Sequence, residues 1–586
     1  MMFLVSLYFA ISIFLIGMIY KMSGWFRYSL DSADGEIGAR KRLVAAVKGI
    51  FLTVFSKKIV IIIKVFVLDG LLQVRVLREN FSRWLMHMLI FWGFLLLVLM
   101  HAFESLIPKH LFTDYYSTVN PFLFLRDFFA FLAATGIGIA AFRRFILKVP
   151  RMSTNAMDYY AISIVAFILI SGIFLEGFKI TSYTAFMQMQ EDYAGLEDKD
   201  EIQALETYWV RNYGLVSPNV KGSFQENVLS LGEDLHAGNC AECHSRPQAA
   251  FAGYAVSKMI YPVALGLDRA GAGTFLWYIH FLLCFVGLAY LPFSKMFHIF
   301  TGPLSLMVNS VMDRKRSDPA NIATRQMMEL DACTHCGTCS LRCSVGIAFE
   351  ELSNVNILPS EKLRAIKSLA ADKKLSAKEL RTLLEGLYLC TNCLRCTVVC
   401  PVGINLQELW FKVRESLLQK GFPEVLMLSP LSLYRGLNCD QLSEDRYQNP
   451  LQRIKKAVAE EFRLTNIRDN TLTHVHMSQG LKKKLGLSAQ GNTFSYCFNC
   501  KTCTLSCPVV KNFNNPRDAL GLEPHHIIHA TVLGLGDLIF SSKMLWACLG
   551  CYQCQEDCPQ GVRVTDVFYE LKNLAIQEFR EKTHPS

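Results

Sequence analysis

The chain has 586 residues, 52% hydrophobic and only 19% charged, with a formal net charge of +10 and 20 cysteines. That balance excludes an ordinary water-soluble enzyme, and the 60 lysines and arginines exclude a chain lying wholly in lipid. Disulfide scaffolds are short secreted chains, whereas here 18 of the cysteines fall into five tight clusters, the spacing of cofactor ligands.

Five stretches, about 3–20, 83–105, 121–147, 158–178 and 273–293, offer the roughly 20 apolar residues that a hydrocarbon core of about 30 Å requires. The first lacks a basic leading region and is followed by Lys21 and Arg27, so it reads as a retained anchor with its N-terminus outside. Residues 59–72 are shorter and carry Lys64 and Asp69, which suits a helix lying at the interface. Twelve Lys and Arg in 21–83, then Arg143, Arg144, Lys148 and Arg151, contrast with an acid-rich 179–272. Five crossings then run N-out to C-in, with 179–272 extracytoplasmic and residues after about 294 cytoplasmic.

Histidines within apolar spans are candidates for function, because imidazole in lipid needs a partner. His87 and His101 are fourteen residues apart, which places them within about 40° of one helix face and about 21 Å apart. His280 and His298 are eighteen apart, on one face and about 27 Å apart if the helix continues, although Pro292 is expected to kink it. Antiparallel packing then sets His101 against His280 near the outer surface and His87 against His298 near the inner. Two bis-imidazole b-haems follow. Glu104, three residues beyond His101, is a candidate acceptor for a quinol proton.

The stretch RWLMHMLIFWGFLLLVLMH (83–101) and the later PFSKMFH (292–298) resemble the cytochrome b subunits of respiratory nitrate reductase (gamma) and membrane heterodisulfide reductase. The resemblance implies five helices, two b-haems and a quinone site, with menaquinone as the candidate quinone.

The segment between the fourth and fifth spans contains Cys240-Ala241-Glu242-Cys243-His244. CxxCH is the attachment signature of a c-type haem, with two thioethers and the histidine as proximal ligand. Met259 is the expected sixth ligand, with Met187, Met189 and His236 as alternatives.

The remaining chain carries four CxxCxxCxxxC runs: Cys333, Cys336, Cys339, Cys343; Cys390, Cys393, Cys396, Cys400; Cys497, Cys500, Cys503, Cys507; and Cys548, Cys551, Cys554, Cys558. In such runs three thiolates hold one [4Fe–4S] cube and the fourth serves its neighbour. The expected sets are Cys333, Cys336, Cys339 with Cys400; Cys390, Cys393, Cys396 with Cys343; Cys497, Cys500, Cys503 with Cys558; and Cys548, Cys551, Cys554 with Cys507. Zinc sites use paired CxxC instead. Cys333 and Cys497 are 164 residues apart, so the two pairs form an internal repeat. Both copies, and SSKMLWACLGCYQCQEDCPQGV (541–562) above all, resemble the two-cluster ferredoxin domain of heterodisulfide reductase C-type subunits and of succinate dehydrogenase iron–sulfur proteins. Ser344 stands where that pattern has proline. Cys284 and Cys439 fit no run and read as buried structural cysteines.

The expected fold class is mainly α. A five-helix transmembrane dihaem bundle (1–300) carries the c-haem insert (179–272). A first 2[4Fe–4S] ferredoxin domain (301–425), a linker (426–490) and a second ferredoxin domain (491–586) follow. Neither GxGxxG, GxxxxGK[ST] nor GxSxG occurs in a fitting context, and the CCG motif of the heterodisulfide-cleaving subunit is missing. The expected function is respiratory electron transfer in a bacterial or archaeal cytoplasmic membrane. Electrons would move between quinone, or a periplasmic cytochrome or hydrogenase, and a cytoplasmic redox subunit. That subunit is expected to be of CCG type, a flavoprotein or an electron-transfer flavoprotein; nucleic acid is not an expected partner. A chain without quinone chemistry, acting purely as a transmembrane wire, is the alternative, and a redox sensor is a more distant one.

Overall fold

The computed structural model describes residues 2–30, 37–112, 115–147, 151, 154–222, 224–313, 316–420, 422 and 479–583. Cys439, Lys148 and most of the expected linker lie outside the described residues. Every regular element among the described residues is helical. In chain order the main ones are α1 (Met2–Arg27), α2 (Ala39–Val54), α3 (Lys58–Val65), α4 (Phe81–His101), α5 (Phe122–Ala141) and α6 (Ala156–Thr181). Then come α7 (Lys199–Asn212), α8 (Glu226–Asn239), α9 (Phe251–Ile260), α10 (Ala272–Tyr290), α11 (His298–Val311) and α12 (Pro319–Ala332). The last are α13 (Pro359–Ala370), α14 (Ala377–Tyr388), α15 (Leu406–Gln419), α16 (Pro524–Leu533) and α17 (Val564–Thr583).

Two compact units divide the chain. One comprises Met1–Lys21, Leu71–Val149 and Thr154–Phe297. All five expected spans appear as helices long and apolar enough to cross a membrane: Met2–Arg27, Phe81–His101, Phe122–Ile146, Ala156–Thr181 and Ala272–Phe293. Asn80 caps α4 by accepting from Arg83 N at 2.8 Å, and Asn155 with Asp158 forms a capping box at α6, satisfying N–H groups that lipid cannot. Asp158 also pairs with Arg144 and Lys295. Helices α4 and α5 close on each other through glycines. A Cβ at Gly93 would lie 2.7 Å from Ala133 N, and one at Gly136 2.9 Å from Met86 O, the small-residue contact by which membrane helices pack. Residues 179–272 form α7, α8, α9 and shorter helices.

The fifth span departs from expectation at its end. Helix α10 stops at Tyr290, two 3₁₀ turns cover Leu291–Phe293 and Lys295–Phe297, and α11 begins afresh at His298. Pro292 supplies no N–H and its ring obstructs the preceding turn, so the chain breaks rather than kinks. His280 and His298 therefore do not share one helix face.

The other unit comprises Met22–Gly70, Pro150–Ser153 and His298–Ser586. The basic stretch after the first span thus belongs with the cysteine-rich part. Arg42 is buried and donates to Trp25 O and Tyr28 O, both at 2.6 Å, and to Thr324 Oγ1 at 3.2 Å. Trp25 Nε1 reaches Asp331 Oδ2 at 2.7 Å. Inside the first cysteine-rich domain, Glu408 of α15 accepts from Arg325 at 2.5 Å and Gln326 at 2.8 Å, both on α12. The second domain has its own core, built around Leu485, Ile527, Leu545, Val567 and Leu571.

Replacing Gly136 with leucine is expected to destabilise the α4–α5 contact by about 1–3 kcal/mol. A lowered thermal midpoint of the detergent-solubilised chain would show it; an unchanged midpoint would mean the helices can separate without loss.

Candidate redox centres

The sixteen cysteines of the tail gather as four sets. Cys400 has Cys336 and Cys333 as electrostatic neighbours, and Cys339 has those two together with Cys400. Cys343 neighbours Cys390 and Cys393, and Cys396 neighbours Cys390 and Cys343. Cys497 and Cys503 meet Cys558 and Cys500, and Cys507 and Cys554 meet Cys548 and Cys551. Each triplet thus has a thiol of the neighbouring run among its electrostatic neighbours.

The local backbone explains how the triplets fold inward. The residues on either side of each second cysteine are left-handed: His335 and Gly337, Asn392 and Leu394, Asn499 and Lys501, Gly550 and Tyr552. For non-glycine residues this conformation is unfavourable. Its repetition in all four runs turns successive N–H groups toward a common centre, the nest arrangement found at iron–sulfur sites. Donors to sulfur include Asn499 N on Cys497 at 3.3 Å and Val562 N on Cys558 at 3.3 Å. Ser344, in the position of the usual proline, sets its Oγ 3.2 Å from Cys393 Sγ. The buried Trp410 indole N–H favours the thiolate of Cys396, against the larger upward push of burial.

Burial pushes the thiols up, Cys343 and Cys554 to about 11 and Cys396 and Cys497 to about 12. A bound cation is what turns such buried thiols into thiolates. Cys507, Cys548, Cys551 and Cys554 line a cavity with Val509, Met544 and Phe568. Donor type, convergence and space all fit [4Fe–4S] cubes.

The four sets are in series. Gly302 of α11 faces Val402, two residues past Cys400, with 3.3 Å between a Cβ placed there and Val402 Cγ1. Gln560, beside Cys558, donates to Thr391 O, beside Cys390, at 2.9 Å and joins the two ferredoxin domains. At the far end Cys551 is exposed, next to Leu549, which is 73% exposed.

In the 179–272 insert, Cys240 ends α8, and Cys243 N and His244 N both donate to Cys240 O, at 3.1 and 2.9 Å. Thr118 and Ser245 clamp this turn, through Thr118 Oγ1 on Cys243 O and Ser245 N on Thr118 O at 3.0 Å. Cys240 packs in an apolar cluster with Phe186, Leu205, Met187 and Met189, and burial raises its thiol to about 11. Met259 stands apart from that cluster, 62% exposed on α9. An axial thioether belongs in a haem's apolar pocket, and of the candidates Met187 and Met189 pack against this cluster. His236 is buried, with Tyr213 OH 2.7 Å from its Nε2.

Among the span histidines, His101 and His280 have ring centres 6.2 Å apart. One iron between two imidazoles, at about 2 Å per metal–nitrogen bond, separates ring centres by roughly 6 Å. Arg126 Nη2 lies 3.2 Å from His101 Nδ1, and Ser171 Oγ 3.0 Å from His280 Nδ1, which orients each ring through its second nitrogen. Gly172 leaves room beside His280, where a Cβ would come 3.1 Å from Cε1. Cys284, one turn on, has its sulfur 4.0 Å from His280 Nε2. His87 and His298 fall in different units.

Glu104 is ion-paired with Lys109 at 3.2 Å. Asp127, which sequence reasoning missed, is buried next to Arg126 and accepts from Ala252 N at 2.6 Å and Gly253 N at 3.4 Å. Glu176 approaches the same glycine. Both were readable as carboxylates inside apolar spans, the kind of residue membranes tolerate only for function or pairing.

Comparison with known proteins agrees with this layout. Residues 63–198 match the family of the E chain of dihydromethanophenazine:CoB–CoM heterodisulfide reductase, HdrE, and 328–404 and 493–562 match the 4Fe–4S dicluster domain. Of the two cytochrome families resembled, the heterodisulfide reductase one is thus matched. The EtfAB:quinone oxidoreductase of Syntrophomonas wolfei is 22% identical over 67% of this chain and 51% of its own length. The C-type component of the H2:CoB-CoM heterodisulfide,ferredoxin reductase of Methanothermobacter thermautotrophicus is 39% identical over 15% of this chain and 45% of its own. Its counterpart in the Methanosarcina mazei ferredoxin:CoB-CoM heterodisulfide reductase is 38% identical over 17% and 57%. The chain spans about half the length of these curated relatives. No solved structure matches it. With its five long apolar helices and two dicluster segments, the chain is a membrane-associated iron–sulfur protein of the electron-transfer kind.

Burial holds His525 well below the usual histidine range, and His526 and His529 are lowered by burial too. Below about pH 6.5 the unfolded histidine takes up a proton that the folded one refuses. The unfolded state then binds more protons, so the second domain loses stability as pH falls. Hydrogen-exchange protection of α16 is expected to drop between pH 7.5 and 5.5, and His525→Gln to flatten the drop.

Proposed function

We propose that the chain is the membrane-bound electron-transfer subunit of a multisubunit oxidoreductase, linking a quinone pool to a cytoplasmic redox partner. Two haem b, one haem c and four [4Fe–4S] clusters, when bound, supply one-electron redox chemistry. The observation that carries the reading is the unbroken series of thiol sets within one compact unit, from Cys400 beside α11 to the exposed Cys551.

The four cysteine sets named above hold the clusters. His101 and His280 hold the outer b-haem, supported by the 6.2 Å ring spacing. Cys240, Cys243 and His244 hold the c-haem, with Met187 or Met189 as sixth ligand because both pack with Cys240. The insert lies outside and the cysteine-rich unit in the cytoplasm, by the distribution of Lys and Arg. Menaquinol binds near His101. Arg126, bonded to that imidazole, fixes its orientation; Glu104, ion-paired with Lys109, is the acceptor of the quinol proton, with the buried Asp127 and Glu176 as the alternative. The name of the Syntrophomonas wolfei relative, matched over two thirds of this chain, favours an electron-transfer flavoprotein as partner. A CCG-type subunit is the alternative suggested by the heterodisulfide reductase relatives. The exposed Leu549, Trp546 and Tyr552 around Cys551 suit such docking.

The CxxCH insert favours a second reading, a quinone-free wire from a periplasmic cytochrome. Titration with a quinol analogue separates the two: a b-haem spectrum that does not respond would sink the quinone reading. The purified chain is expected to hold about sixteen irons in cubes, with Cys400→Ser removing or altering the cluster built on Cys333. Single His101→Leu and His280→Leu variants are expected to abolish the same b-haem signal; loss of two different signals would refute the pairing.

A further inference from the structure

Lys362 on α13 is 1% exposed. Its ammonium donates to Gly386 O at 2.7 Å and sits 4.8 Å from the centre of the Trp410 ring. Its electrostatic neighbours are Cys390, Cys343, Arg414 and Cys396, with no carboxylate among them. Arg414 is buried as well. It donates to Leu387 O at 3.0 Å and to Cys390 O at 3.1 Å, and its charge acts on Cys390. Two buried cations therefore face one set of four sulfurs. An unpaired buried charge is very costly, so the site calls for an anion, and a thiolate-bound cube is one.

The internal repeat provides a control within the same chain. Pro359 opens α13 and Pro524 opens α16. The next residue bonds in each case to the hydroxyl following the third cysteine: Ser360 to Ser340 at 2.6 Å, His525 to Thr504 at 2.8 Å. In this register Lys362 corresponds to Ile527, which is 0% exposed. Arg414 corresponds to Lys572, fourteen residues past the last cysteine in both domains, and Lys572 donates to Cys548 O at 3.3 Å as Arg414 does to Cys390 O. Trp410 corresponds to Phe568, and Ser344, whose Oγ contacts Cys393 Sγ, corresponds to Pro508. One cation is common to both domains. The second cation, the indole N–H and the serine hydroxyl belong to the first domain alone.

A cube's negative charge grows by one when it accepts an electron. Nearby positive charge and hydrogen bonds to its sulfurs favour the reduced form and raise its potential. We propose that Lys362, assisted by Ser344 and Trp410, makes the cluster bounded by Cys390, Cys393, Cys396 and Cys343 the most readily reduced of the four. Thr391 of this set is the residue that accepts from Gln560, so the electron-collecting centre lies at the joint between the two ferredoxin domains. The step is a one-electron gain with no bond made or broken. The inference rests on the four-cluster reading, which iron and acid-labile sulfide counts check separately.

The test is a stepwise dithionite titration of the full-length protein in detergent, followed by low-temperature EPR. In the unaltered chain, the first [4Fe–4S] signal to appear is expected to be the one that Cys393→Ser removes or alters. If Cys393→Ser alters a later signal, the proposal is overturned. Lys362→Met is expected to move that signal behind at least one of the other three and leave those in place, whereas Lys362→Arg keeps the original order. An unchanged order in Lys362→Met also overturns it. If Lys362→Met fails to assemble that cluster, Ser344→Ala decides together with the unaltered chain. It is expected to shift the same signal in the same direction by less, and an unmoved signal counts against the proposal.

Discussion

Each triplet of thiols in the tail depends on a fourth from the neighbouring run, and this exchange organises the cysteine-rich unit. Because Cys400 lies with Cys333 and Cys336 while Cys343 lies with Cys390 and Cys393, neither run can complete a centre alone. The helices between the runs close this loop. Helices α13 and α14 bring the two runs of the first domain together, and α16 does the same in the second. Left-handed residues beside every second cysteine aim the backbone N–H groups at the sulfurs, and the buried Arg325–Glu408 contact ties the start of the first run to the end of the second.

The legible parts of this architecture were those written locally. Four CxxCxxCxxxC runs announce two dicluster segments by their spacing, and five apolar stretches announce their helices by length alone. Six of the eight left-handed positions were not legible, because His335, Asn392, Leu394, Asn499, Lys501 and Tyr552 occupy them in place of glycine. Nothing in those side chains signals the conformation; the convergence of the thiols imposes it. Pro292 was visible, but whether a proline kinks or ends a helix depends on what the freed groups meet, and here two 3₁₀ turns take over.

Burial escaped the sequence for a related reason. PSEKLRAIKSLA reads as a surface helix with its lysines in water, and Lys362 is enclosed only because α14 and Trp410 close over it. Asp127 is similar, a lone acid in an apolar span until α9 presents two N–H groups to it. The settings of the insert's methionines likewise come from tertiary packing, which leaves Met259 exposed and places Met187 and Met189 against the Cys240 cluster. In each case the side chain's neighbours come from elements far away in the chain.

The longest such reach has a consequence for biogenesis. Trp25 bonds to Asp331 across 306 residues of sequence, and Arg42 bonds to Thr324. Residues 22–70 emerge early from the ribosome, yet the surface that receives them is made only after all five spans. At about 5–20 residues per second the wait is roughly 15–60 s. During that time the Trp25 indole lacks Asp331 and Arg42 lacks Thr324, although Arg42 can still donate to Trp25 O and Tyr28 O within its own segment. The two halves of the chain read as modules in sequence, but they cannot be completed one after the other: the segment synthesised among the first is finished among the last.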